Sequence, residues 1–285
     1  MTRARLQVVL AAVLFGTTGT ALAIGPDSAS PLGVGAARIV VGGALLAALA
    51  AATGAIRGSW PVRLVLTAGV GVAVYQLSFF EAVDRTGVAV GAIVAIGSGP
   101  IFVGVFERFA DGVWPGRRWA IATALATAGV VLLTVSGVEG TSVDVAGIGL
   151  ALVAGAGYAT YTVVAKRLIR NGHPPVGAMG VSFGTAAVLL VPVLVGAGTS
   201  WLSGGSGIAL AVYLGVFPTA LSYVLFARGL SQLPASEVAT IVLAEPLTAT
   251  ALGVLALDET FGALDATGAA LVLAALLILG ARGRS

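Results

Sequence analysis

Ten apolar runs follow one another through this chain, and that repetition limits the fold more than any other feature. They lie at about 6–24, 32–52, 62–82, 87–107, 118–136, 146–166, 176–197, 207–228, 235–257 and 263–281. A helix of about 20 apolar residues crosses a hydrocarbon core of about 30 Å. In lipid, only helices and closed barrels satisfy their own backbone. The linkers are short and leave no room for a soluble domain. Charged residues make up only 9% of the 285, against roughly 25% in a soluble domain, so lipid is the solvent for most of the chain. The 41 glycines, with many alanines, let helices approach closely where lipid removes the hydrophobic drive. The predicted fold is an all-α membrane protein of ten transmembrane helices. Arg3, Arg5, the first apolar run and Ala21-Leu22-Ala23 have the outline of a cleavable signal. The run is long for that role, and the internal repeat described below requires it as a span.

Charge placement orients the spans. With the N-terminal side taken as the inside, Arg3, Arg5, Arg57, Arg63, Arg108, Arg117, Arg118, Lys166, Arg167, Arg170, Arg228, Arg282 and Arg284 all fall at inner ends. Arg85 falls outside and Arg38 within a span, while Asp27, Asp84, Glu139, Asp144, Asp258, Glu259 and Asp265 fall outside. This alternation predicts that both termini are cytoplasmic. Trp60, Trp114, Trp119 and Trp201 stand at span ends, as interfacial anchors should. The pI near 9.7 does not imply nucleic acid, because the basic residues line one side of a membrane.

The chain also repeats. A shift of 146 residues places Phe80 on Phe226, Ala89 on Ala235 and Pro100 on Pro246. Five spans per half is an odd number, so the halves, 1–140 and 141–285, enter the membrane from opposite sides. Such inverted repeats are a common construction in secondary transporters.

The second half resembles the EamA-type module of the drug/metabolite transporter superfamily. The resemblance rests on Gly215, Thr219, Tyr223, Ala227, Leu230, Ala235, Glu245-Pro246 and the acidic end Leu257-Asp258-Glu259. The family usually has Leu-Gly-Glu at that end, so Asp258 stands where glycine is expected. Phe15-Gly16 is similar to the aromatic-glycine pair of the family's first span, and Ala159, Tyr161, Ala165, Lys166 and Arg167 resemble its sixth. The resemblance covers essentially the whole chain. It implies two five-helix bundles around a central cavity, exporting amino acids, nucleobases, drugs or other small metabolites across a bacterial inner membrane.

The chemistry within the spans is sparse. A proline leaves the carbonyl four residues earlier without its donor. Pro100 and Pro246 are therefore expected to kink their helices at the cavity, while Pro192 and Pro218 free further carbonyls. Glu245 must be paired, solvated or protonated. It can bind a substrate amine, carry a coupling proton, or hydrogen-bond its own kink. Arg38 either snorkels to the surface, holds a substrate carboxylate, or partners Glu245. Tyr75, Tyr158, Tyr161, Tyr213 and Tyr223 all lie within spans. Such hydroxyls turn inward, either to line a cavity or to bond across helices. The expected binding set is Arg38, Tyr75, Gln76, Ser78, Phe79, Tyr158, Tyr161, Tyr223 and Glu245. Thr17, Thr18 and Thr20 are weaker candidates from the first span. Gly87-x-x-x-Gly91 and Gly180-x-x-x-Gly184 read as close-packing motifs, within the bundle or at a homodimer face.

The chain has no cysteine and one histidine, His173, in a loop, so no metal site or cofactor is expected. HExxH, GxGD and P-loop motifs are absent, which argues against a membrane enzyme or an ATP-driven pump. No charged filter ring or ligand domain supports a passive channel or a receptor. The reading is a secondary transporter, a monomer or weak homodimer in the bilayer, uniporting or proton-linked. Aromatic or hydrophobic amino acids fit a cavity with aromatic faces, one acid and one base. Organic cations or nucleobases are the alternative.

Overall fold

The computed structural model describes residues 2–112, 114–135 and 144–281. Among these, ten helices are long and apolar enough to cross a membrane. They are α1 (Arg3–Ala23), α2 (Pro31–Ala52), α3 (Val62–Gly87), α4 (Val90–Asp111), α5 (Arg117–Val135), α6 (Val145–Arg170), α7 (Pro175–Gly196), α8 (Gly205–Gln232), α9 (Ala235–Ala256) and α10 (Ala263–Gly280). Glu139, Arg282, Arg284 and the expected junction between halves at 140/141 lie outside the described residues.

Local chemistry sets the helix ends. Ser30 accepts the Gly33 amide at 3.1 Å ahead of Pro31, whose missing N–H is not needed there. Asp144 caps α6 through the Ala146 amide at 2.9 Å. Asp265 turns back from the first turn of α10 to accept the Gly262 amide at 2.8 Å. Between α3 and α4 the chain reverses at Gly87, with φ 80 and ψ 159, a conformation that needs glycine. The turn expected at 83–86 is therefore helical. Gly87 supplies the reversal itself and Gly91 packs on Val83 of the same hairpin, so Gly87-x-x-x-Gly91 is not a helix-packing motif. Gly180 and Gly184 do pack against α2, at Ala50 and Ala47.

The most extensive packing joins the first five helices to the last five. α2 lies on α7, α5 on α10, α1 on α8 and α9, and α6 on α3 and α4. Exchanging the halves maps this set of pairs onto itself. Small residues make it feasible. Gly129 of α5 and Gly268 of α10 face each other so closely that a Cβ on Gly268 would stand 2.7 Å from the Gly129 carbonyl. Gly157 of α6 admits the Tyr75 backbone in the same way.

Two helices are irregular. In α8 the turn over Val216–Leu221 widens to a π-helix. Pro218 removes the donor that the Leu214 carbonyl would take, and the Thr219 hydroxyl donates to that carbonyl at 2.8 Å. α9 breaks at Leu243-Ala244, between Ala235–Val242 and Glu245–Ala256, with Pro246 at the start of the second half. Trp201, in the short segment between α7 and α8, turns inward. It is buried against Val34, Ala37 and Leu210, because the short helix Ser200–Ser203 folds under α2 and α8.

Candidate functional site

The break in α9 puts Glu245 at the first position of a new helical segment, near the middle of its span. α1 approaches that break closely. A Cβ at Gly16 would stand 2.5 Å from the Glu245 carbonyl oxygen and 2.6 Å from Thr248 Cβ. The aromatic-glycine pair of α1 is thus explained by proximity: Phe15 packs on Tyr223 at 5.1 Å between centroids, and Gly16 admits the α9 break.

Four of the five tyrosines meet around this point. Ring centroids are 6.2 Å apart for Tyr75 and Tyr158, 5.3 Å for Tyr158 and Tyr161, and 6.1 Å for Tyr161 and Tyr223. Phe183 of α7 joins the cluster beside Tyr161 and Tyr223. The Tyr161 and Tyr223 hydroxyls share a hydrogen bond at 2.8 Å, tying α6 to α8. Tyr213 stands apart, paired with Phe217 of its own helix.

Arg38 lies within electrostatic range of Glu245, Tyr75 and Tyr223. Its Nε is buried and makes no hydrogen bond, and the same holds for Gln76 Nε2. Gln76 packs against Gly35, one turn before Arg38 on α2. Among the described residues no ion pair joins Arg38 to Glu245. An unpaired guanidinium nitrogen and an unpaired amide, both buried, are donors without an acceptor, which is costly unless an acceptor arrives. A cavity of ≈ 30 Å³ opens between Tyr75, Tyr158, Pro100, Ala239, Leu243 and Glu245. That volume suits a water molecule or two.

Not every expected residue joins the group. The Ser78 hydroxyl is bonded to the Val74 carbonyl of its own helix at 2.6 Å, and Thr17 similarly to Leu14 at 2.7 Å. Phe79 lies 5.9 Å from Tyr75 between centroids and also packs against the cluster of Ala82, Ala95, Ala151 and Ala154. Pro100 lines the cavity without breaking α4, unlike Pro246 in α9.

Sequence reading missed a second polar group, on the N-terminal face. Glu107 of α4 is buried and accepts the Ala235 and Ser236 amides, at 2.8 and 3.1 Å. Lys166 of α6 donates to the Leu230 and Leu233 carbonyls, at 2.7 and 2.8 Å. Arg5 pairs with Glu237 at 2.7 Å, and Arg170 with Asp111. α4 brings two acidic partners, α6 two basic ones, α1 a base and α9 an acid, a signal available in the sequence but indistinguishable there from ordinary interfacial charge.

Comparison with known proteins adds the family context. The family model described as "EamA-like transporter family" matches residues 2–135 and 145–281. The "Uncharacterized transporter YwfM" of Bacillus subtilis (strain 168) is 41% identical over 280 residues, covering 98% of this chain and 94% of that one. The "Threonine/homoserine exporter RhtA" of Salmonella typhimurium (strain SL1344) is 31% identical over 192 residues, 66% of this chain and 61% of the relative. Its counterpart in Escherichia coli (strain K12) is 29% identical, covering 72% and 67% of the two chains. A solved crystal structure superposes with a TM-score of 0.81 at 22% identity, covering 96% of this chain and 95% of that one, a likeness of fold.

Proposed function

Since this chain belongs to the EamA-like transporter family, we propose that it exports small metabolites, amino acids first among them, by alternating access. The observation that carries the amino-acid reading is the buried, unbonded Arg38 Nε, within electrostatic range of Glu245 and of Tyr75 and Tyr223 in the tyrosine cluster. A base and an acid held apart in a low-dielectric site complement a zwitterion. Arg38 and Gln76 would take the α-carboxylate, Glu245 the ammonium, and Tyr75, Tyr158, Tyr161 and Tyr223 the side chain. The relatives named for threonine and homoserine support an amino acid and favour a small hydroxylated side chain. The aromatic faces suit an apolar or aromatic one. The halves 1–140 and 141–285 are taken as inverted repeats that rock about this site, in the inner membrane of a bacterium, with both termini cytoplasmic. Energy comes from the substrate's own gradient or from a proton carried by Glu245.

Counterflow in proteoliposomes tests the reading. Vesicles are preloaded with unlabelled threonine, homoserine, aromatic amino acids, nucleobases or organic cations, and uptake of labelled threonine or phenylalanine is followed. Amino acids should drive exchange, and Arg38→Ala should weaken it far more for zwitterions than for cations. Loss of a pH-gradient effect in Glu245→Gln would place the coupling proton there. Exchange driven by cations alone would replace the amino-acid reading with an organic-cation exporter using Glu245 alone, which its lack of an ion pair to Arg38 would accommodate. Absence of exchange with every amino acid sinks the substrate assignment.

A further inference from the structure

We propose that a charged clasp holds the α8–α9 turn on the N-terminal face, that its six residues have no charged counterparts under the internal repeat, and that the clasp holds the resting transporter closed on the N-terminal side. The inference rests on the alternating-access reading and adds which side is latched, and by which residues.

The turn is Leu233-Pro234, and it is gripped at both helix ends. A helix leaves its first amides and last carbonyls without internal partners, with partial positive charge at the start and negative charge at the end. Glu107, 8% exposed, supplies a carboxylate to the first two amides of α9. Lys166 supplies an ammonium to the closing carbonyls of α8. Each charge meets the end of the dipole that stabilises it. Arg5 of α1 adds an ion pair to Glu237 of α9, with side chains only 18% and 16% exposed, while Asp111 of α4 meets Arg170 of α6 in a more open pair, 28% and 55% exposed, that contributes little. The Glu107, Arg5 and Asp111 contacts all join a helix of the first half to one of the second. Relative motion of the halves that opens this face must break them. These residues border a cavity of ≈ 790 Å³ on the same face, so the clasp stands between that vestibule and the small central cavity.

The internal repeat supplies the comparison. Under the shift of 146 residues, Arg5, Glu107 and Asp111 fall on Ala151, Gly253 and Leu257. Lys166, Arg170 and Glu237 fall on Thr20, Ile24 and Gly91. None of the six counterparts is charged. At the α3–α4 turn, which corresponds to the α8–α9 turn, Arg85 approaches Asp144 at 3.9 Å with side chains 45% and 37% exposed. Such an open pair is screened and contributes little. Among the described residues this clasp is thus not repeated on the opposite face, and it displaces the equilibrium between the two states toward N-terminal closure. A substrate entering from that side must bind the open state enough more tightly to offset the clasp.

The native chain lacks cysteine, so one introduced thiol can report the conformation. Ala239→Cys places it on α9 at the central cavity, where Ala239 is 2% exposed. A membrane-impermeant maleimide is applied to either face of oriented vesicles, without substrate. In that background Glu107→Gln, and separately Arg5→Gln with Arg170→Gln, should raise labelling from the N-terminal face about tenfold, the equivalent of one charged hydrogen bond, and lower it from the other face. Exchanging the partners, Arg5→Glu with Glu237→Arg, should return the rate toward that of the parent. Rates unchanged in every variant overturn the proposal. So does an equal rise from both faces, which would mean a loosened bundle and not an opened gate. Labelling needs no substrate, so its failure leaves the transport reading standing. Failure of counterflow with every amino acid in the parent overturns the substrate assignment instead.

Discussion

One methyl group added at Gly16 should displace the Glu245 site. The new Cβ would stand 2.5 Å from the Glu245 carbonyl oxygen, 2.6 Å from Thr248 Cβ and 3.2 Å from the Ala249 nitrogen. Favourable separations begin at about 3.5 Å, so α1 and the α9 break must part by about 1 Å. None of the three blocking atoms can rotate away, because two are backbone and the third is fixed to it. Overpacking of this kind costs about 1–3 kcal/mol. At tenfold per 1.4 kcal/mol, carrying that strain onto the bound state would raise the half-saturating substrate concentration by about 5- to 150-fold. Gly19, almost one turn further along α1, has nothing within 4 Å of its own added Cβ. Gly19→Ala should therefore leave transport unchanged and favour the helix by up to about 1 kcal/mol. The assay is the concentration dependence of counterflow for both variants, with size-exclusion profiles confirming that each is folded. Gly16→Ala within twofold of the parent, or Gly19→Ala equally damaging, would refute the reasoning.

Two further predictions concern stability. Thr219→Val removes the hydroxyl that serves the Leu214 carbonyl and should cost about 1–3 kcal/mol in detergent-driven unfolding. In a Pro218→Ala background the restored amide takes over, so the same change should cost clearly less, and equal losses in both backgrounds would contradict this account. Asp258 sits at φ 56, in the left-handed region that favours glycine. Asp258→Gly should raise the melting temperature, with a gain of at most about 1 kcal/mol, and a lower melting temperature would show that the Asp258 side chain contributes more than its backbone costs.

Much of the architecture was legible in the residues. The ten spans follow from run length and apolarity, and the α9 break falls where Pro246 cannot donate to the carbonyl four residues back, although the same deficit at Pro100 leaves α4 unbroken. The gathering of Tyr75, Tyr158, Tyr161 and Tyr223 follows from the poor fit of a hydroxyl to lipid. Other features were hidden for identifiable reasons. Ser78 looked free, but a serine in a helix can satisfy itself on the preceding turn, and hydropathy does not distinguish the two cases. Trp201 stood at a span end and still turned inward, because the fold offered it a buried seat against α2. Gly87 fitted a packing motif by spacing, yet its positive φ makes it a turn. Glu107 and Lys166 resembled the charges that flank any membrane helix, and only the meeting of α4 and α6 with the α8–α9 turn gives them partners.

What the sequence determined alone is whatever each span settles within itself. Crossing the membrane requires length, apolarity and an internally bonded backbone, and each run meets those conditions without reference to its neighbours. The tertiary structure decided which side chains meet. These helices are apolar on nearly every side and studded with small residues, so periodicity does not say which face turns inward. Rotation and depth are fixed by close contacts between distant segments, such as Gly16 on the α9 break and Gly129 on Gly268. Those contacts bring Arg38 within electrostatic range of Glu245 and lock Glu107 onto α9, and no single span carries the information for either.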